Sequence, residues 1–101
     1  MRTIVEEFIT ELTWNNDKVK EVFTHGGCYW FAHILKERFN GQIWYLPIDN
    51  HFITLIDNLF YDANGQYNLE NNECIYNWEH YKIIEPLESE RIEKYCIRKE
   101  I

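Results

Sequence analysis

No apolar run in this chain approaches the length of a membrane span, because charged residues and asparagines interrupt every hydrophobic stretch. A secretory leader is missing from the reading as well. The N-terminal MRTIVEEFITEL places Glu6, Glu7 and Glu11 where a leader needs an unbroken apolar region, so a cytoplasmic location is expected. Positive charge is scarce: ten Lys and Arg stand against seventeen Asp and Glu, for a net charge of -7. Affinity for a nucleic-acid backbone comes from Lys and Arg, so direct nucleic-acid binding is not expected, whereas a basic protein partner is permitted. Cysteine is limited to Cys28, Cys74 and Cys96, an odd and widely spaced set that reads as reduced thiols instead of a disulfide frame. The chain also lacks repeats, low-complexity tracts, linkers, a Gly-rich phosphate loop and a basic patch.

Large apolar groups, in contrast, are plentiful. Four Trp, seven Tyr and six Phe in 101 residues rule out a disordered chain and suit a single domain, residues 1–101, with one modest core. Ile4, Val5, Phe8, Ile9 and Leu12 give residues Thr3 to Leu12 a helical stripe. Asn16 or Asp17 caps an expected second helix through Val19 and Phe23 that ends at Gly26. A third helix is expected from Cys28 to Phe39, with Cys28, Phe31, Ala32, Leu35 and Phe39 on one face, stopped by Asn40-Gly41. Strand patterns follow at Gln42 to Leu46, His51 to Ile56 and Leu59 to Asp62, the last two flanking Asp57-Asn58 as a two-residue turn. Ala63-Asn64-Gly65 is expected to break the last strand. Tyr67 to Ile84 fits a short helix or another strand, and Pro86 opens a final helix towards Ile97. Helices first and an antiparallel sheet second is the α+β pattern.

Chemistry concentrates around HGGCYW, residues 25–30. Gly26-Gly27 is either a plain turn or a place where backbone approaches a reacting group. A cysteine in the first turn of a helix sits against the positive end of the macrodipole, which favours thiolate over thiol. Such a nucleophile requires a base, and the base an orienting group. With Asp57-Asn58 as the turn, Ile56 faces Leu59, Leu55 faces Phe60 and Ile53 faces Asp62, while His51 faces Asn64. His51 and Asp62 then share a face as diagonal neighbours, with Cβ atoms within roughly 7–8 Å.

The segments GGCYWFAHIL and HFITLIDNLFYDANG resemble the papain-like superfamily, particularly its transglutaminase-like branch, over about a quarter of the chain. That resemblance implies a papain-like core of helices on a small antiparallel sheet, with Cys28 as nucleophile, His51 as general base and acid, and Asp62 as the orienting carboxylate. It implies a hydrolase or acyltransferase acting on an amide, ester or thioester of a protein or peptide substrate, with no cofactor. The pattern departs from the superfamily in having no Gln before Gln42, so the Cys28 N–H with Asn15 or Asn16 would form the oxyanion hole.

Each residue also has a plainer reading. Free cysteine is a common core residue, His51 follows Asn50 at a strand start, and an Asp before Ala-Asn-Gly commonly caps a turn. His25 and Cys28 have a ligand-like spacing, but no second close pair completes a metal site. His33 reads as a satisfied structural histidine. Tyr29, Trp30, Trp44 and Tyr45 could line a pocket or fill a core. A second functional class therefore stays open: a non-enzymatic acidic binding protein. Compact size and acidic surface residues such as Glu88, Glu90 and Glu93 resemble bacteriophage accessory proteins, including inhibitors of basic or nucleic-acid-binding partners.

Overall fold

The computed structural model describes residues 3–13, 27–48, 50–70 and 73–100, with side chains described through Lys94. Among them the chain forms α1 (Ile4–Thr13), α2 (Cys28–Phe39), β1 (Gln42–Leu46), β2 (His51–Ile56), β3 (Leu59–Asp62), β4 (Gly65–Tyr67), β5 (Tyr76–Asn77), α3 (Trp78–Ile84) and α4 (Pro86–Glu100). This is an α+β fold. The expected helix between Asn16 or Asp17 and Gly26 lies outside the described residues.

Local chemistry fixes most boundaries. Thr3 caps α1 reciprocally: the Glu6 N–H donates to Thr3 Oγ1 at 3.0 Å, and the Thr3 N–H donates to Glu6 Oε1 at 3.2 Å. Val5 and Ile9, one turn apart, are its buried pair. Asn40 ends α2 in the left-handed region at φ 55°, so the asparagine and not the glycine supplies that conformation. Gly41 is needed for another reason. A Cβ there would sit 2.8 Å from the Leu55 carbonyl oxygen and 2.9 Å from side-chain carbons of Ile56 and Thr54. Asp57 and Asn58, at φ 49° and 70°, form the tight β2–β3 turn with the register Ile56 opposite Leu59, Leu55 opposite Phe60 and Thr54 opposite Tyr61.

The sheet order is β4-β3-β2-β1-β5 with antiparallel neighbours throughout. The break after Asp62 falls at Ala63-Asn64 as expected, and the sheet continues beyond it: Gly65, at φ 109°, starts β4, and Tyr67 pairs with Phe60. The ambiguous segment resolves into both alternatives in sequence: two residues of β5 beside β1, then α3, whose first turn is capped by Asn77 Oδ1 accepting from the His80 N–H at 3.2 Å.

Helix α2 lies across β2 and β1 and joins two buried clusters. Cys28, Tyr29 and Ala32 pack with Ile43, Tyr45, Phe52, Trp78 and Ile92, while Phe31 and Leu35 pack with Val5, Ile9, Ile56 and Tyr61. Burying each of the larger aliphatic or Phe side chains contributes about 1.5–3 kcal/mol. The Thr54 hydroxyl, fully buried, donates to the Ala32 carbonyl at 3.0 Å and pins helix to strand. Phe52, Thr54 and Ile56 are thus the β2 side chains turned towards α2. His51, at the strand's first position, approaches the helix at its N-terminal end.

Candidate active site

Three elements bring their ends together. Cys28 opens α2, directly after Gly27 (φ -92°), and no side chain caps this helix start. The Phe31 N–H donates to the Gly27 carbonyl at 2.9 Å, closing the first turn around the cysteine. Cys28 is 7% exposed and packs with the aromatic cluster of Tyr29, Phe52 and Trp78. The plain expectation of a core cysteine therefore holds alongside its place at the helix mouth.

His51 begins β2 opposite Leu46, and Asp62 ends β3. Their side chains meet: His51 Nε2 and Asp62 Oδ2 are 3.0 Å apart. Asp62 is 8% exposed, and its second oxygen, Oδ1, accepts from the Asn64 N–H at 2.8 Å. Capping a turn and holding an imidazole are thus done by one carboxylate, each with its own oxygen. With both oxygens engaged, the carboxylate has a fixed orientation behind the ring.

Burial works against a charged His51, but hydrogen bonds with Asp62 and with Cys28, together with the charges of both, raise its pKa from 6.5 to about 9. The ring is then an imidazolium at neutral pH. Asp62 takes Nε2, which leaves Nδ1 as the ring nitrogen open to a further partner. The Tyr67 ring, from β4, stands 6.0 Å from the imidazole and covers a further side. The arrangement can hold a sulfur and an imidazole in hydrogen-bonding reach, with the imidazole's far nitrogen anchored.

A cleft of about 390 Å³ is lined by Tyr45, Pro47, Asn50, Tyr81, Glu88 and Arg91, and it reaches the site residues only through Asn50, the chain neighbour of His51. Asn50 is the residue before His51, and its Oδ1 accepts from the Tyr45 hydroxyl at 2.9 Å. Glu88 and Arg91 form an ion pair on the wall. Burial and the nearby Glu88 and Glu85 carboxylates keep the Tyr81 phenol above its ordinary pKa and therefore neutral. A second, more open groove of about 610 Å³ runs past Phe8, Trp30, His33, Ile34, Glu37 and Arg38.

Several sequence readings need revision. His33 is not fully satisfied: its Nε2 is buried with no hydrogen-bond partner among the described residues. Burial first, then Lys36 and Lys82, lowers its pKa, so the ring stays neutral against Tyr29, 4.6 Å away between centroids. Of the four aromatics considered for a pocket, Tyr29 is core, Tyr45 is core that also lines the cleft, and Trp30 lines the open groove. Trp44 packs edge-on against Phe60 on the sheet, at 6.0 Å. Asn15, Asn16, His25 and Gly26 lie outside the described residues. Among those described, no group of three His, Cys, Asp or Glu side chains is placed to hold a metal ion, and no helix is long and apolar enough to cross a membrane. Tyr45 and Asn50 were missed as a pair because their contact depends on the path of the intervening loop.

A family model described as "Phage YunG-like protein" matches residues 5–97. No curated protein and no solved structure matches the chain.

Proposed function

The chain belongs to the phage YunG-like family, and we propose that it is a small cysteine hydrolase or acyltransferase of minimal papain-like, transglutaminase-like design. Cys28 is the nucleophile, His51 the general acid and base, and Asp62 the orienting carboxylate. One observation carries this reading: a single imidazole at the start of β2 is bonded through Nε2 to a buried carboxylate, and Cys28 stands near enough to contribute to raising its pKa.

The Cys28 sulfur, as thiolate, attacks the carbonyl carbon of an amide, ester or thioester, forming a C–S bond. Collapse of the tetrahedral adduct breaks the bond to the leaving group, which takes its proton from the His51 imidazolium. His51, now neutral, removes a proton from water or an acceptor amine, whose attack breaks the C–S bond and regenerates the thiolate and imidazolium. The Cys28 backbone N–H belongs to the helix turn whose N–H groups lack intrahelical acceptors, and so supports the oxyanion. The cleft beside Asn50 gives the substrate chain a place to lie.

The test uses an activated ester, p-nitrophenyl acetate, with nitrophenolate release and intact mass measured together. The expected result is a burst with one acetyl group on Cys28, lost in both Cys28→Ala and Cys28→Ser and strongly reduced in His51→Ala. An undiminished burst in folded Cys28→Ala overturns the proposal.

One surface feature favours the second reading, an acidic, non-enzymatic protein that occupies a basic partner. Ile83 and Leu87, 77% and 82% exposed, flank Glu85 at the α3–α4 joint. Under that reading Cys28→Ala keeps biological function in phage growth, whereas Leu87→Asp or charge reversal at Glu88, Glu90 and Glu93 abolishes it.

A further inference from the structure

We infer that Tyr45 is a positioning residue for His51, acting through the side chain of Asn50. This rests on the reading of His51 as the acid–base group, and it adds a residue from β1 to that machinery.

The argument begins with Asn50. It occupies the left-handed region, at φ 49°, which L-residues other than Asn and Asp rarely enter. It is also the last residue before the strand that carries His51. The backbone direction at residue 50 therefore sets the direction from which the imidazole projects. The Tyr45 hydroxyl donates to Asn50 Oδ1 at 2.9 Å and ties that side chain to the sheet.

Tyr45 is itself a fixed post. It is 5% exposed, directly opposite Phe52 in the register, and packed against Phe52, Trp78 and Tyr81 at centroid distances of 4.8, 5.4 and 5.9 Å. The hydroxyl is thus presented by a ring that cannot follow Asn50 if the loop relaxes. Among the described residues, the groups that bear on the imidazole are Cys28 from α2, Asp62 from β3 and Tyr67 from β4. The Tyr45 hydroxyl is bonded to Asn50, and that bond links β1 to the residue before His51.

The experiment compares Tyr45→Phe, Asn50→Ala and Asn50→Asp with the wild type. Readouts are the His51 titration midpoint by NMR and the iodoacetamide alkylation rate of Cys28. Tyr45→Phe keeps the packed ring and removes the hydroxyl that donates to Asn50. It is expected to lower the His51 midpoint from about 9 towards the 6.5 of a free imidazole and to slow Cys28 alkylation roughly three- to tenfold, the worth of one hydrogen bond. Asn50→Ala is expected to reproduce both changes. Asn50→Asp retains an acceptor oxygen and tolerance of the left-handed region, and is expected to keep the midpoint at or above that of the wild type. A merely structural role would lower folding stability and leave both readouts of the folded protein unchanged. Wild-type values in folded Tyr45→Phe overturn the inference. If wild-type Cys28 alkylates no faster than exposed Cys74, the nucleophile reading fails instead, and the His51 midpoint still decides the role of Tyr45.

Discussion

Replacing Asp62 with Asn separates the imidazole's anchor from the turn it also caps. The asparagine Oδ1 can still accept from the Asn64 N–H, so the turn is retained, but its other group faces His51 Nε2 with an amide and no charge. In the wild type, His51 titrates at about 9 in the folded protein against 6.5 for the free side chain. A gap of that size corresponds to about 3 kcal/mol at 1.36 kcal/mol per unit. Its sign follows from proton binding. Between those two values the folded state holds a proton that the unfolded state has lost, so stability falls as pH rises. The contribution is complete below pH 6.5 and gone once pH passes about 9. Hydrogen bonding to Asp62 is the foremost of the influences that raise the value, and burial, which lowers it, persists in the variant. Asp62→Asn should therefore lose more than half of the pH-dependent stability across this window. The assay is urea unfolding at closely spaced pH values for wild type and variant. Taking the difference cancels the ionisation of tyrosines and of the other cysteines. Parallel stability curves for the two proteins would refute the reasoning.

Two further substitutions test the frame that presents the site. Gly41→Ala forces a Cβ to 2.8 Å from the Leu55 carbonyl oxygen, a backbone atom with little freedom to move, and should cost about 1–3 kcal/mol in urea unfolding, the usual penalty of overpacking. Thr54→Val preserves shape but removes the hydroxyl that bonds the Ala32 carbonyl; a loss of about 1 kcal/mol is expected in thermal or urea unfolding, with the sheet register unchanged by NMR.

The hairpin was legible because one dipeptide determines it. Asp57 and Asn58 both accept positive φ, their turn dictates the β2–β3 register, and that register makes His51 and Asp62 diagonal neighbours. The stripe on α2 was legible for a similar reason, since Cys28, Phe31, Ala32 and Leu35 recur at helical spacing and are all buried. Strands of three and two residues, β4 and β5, carry no period that could be read. Helix α3 was hidden because its apolar residues do not form an inward stripe: Trp78 is fully buried while Ile83 faces solvent. The Tyr45–Asn50 bond crosses a loop whose shape is a tertiary outcome. The His33 nitrogen, without a partner among the described residues, likewise reflects neighbouring rings and not its place on the helix.

The most direct measurement is the relative rate at which iodoacetamide modifies Cys28 and Cys74 at pH 7, followed peptide by peptide in a mass spectrometer. Access alone favours Cys74, which is exposed, over buried Cys28. Iodoacetamide reacts with the thiolate, so preferential labelling of the buried sulfur reports activation by its neighbours. Labelling of Cys28 at least about tenfold faster than Cys74, falling to or below the Cys74 rate in His51→Ala, is the predicted result. Labelling of wild-type Cys28 at or below the rate of Cys74 would contradict a nucleophile held by His51 and Asp62.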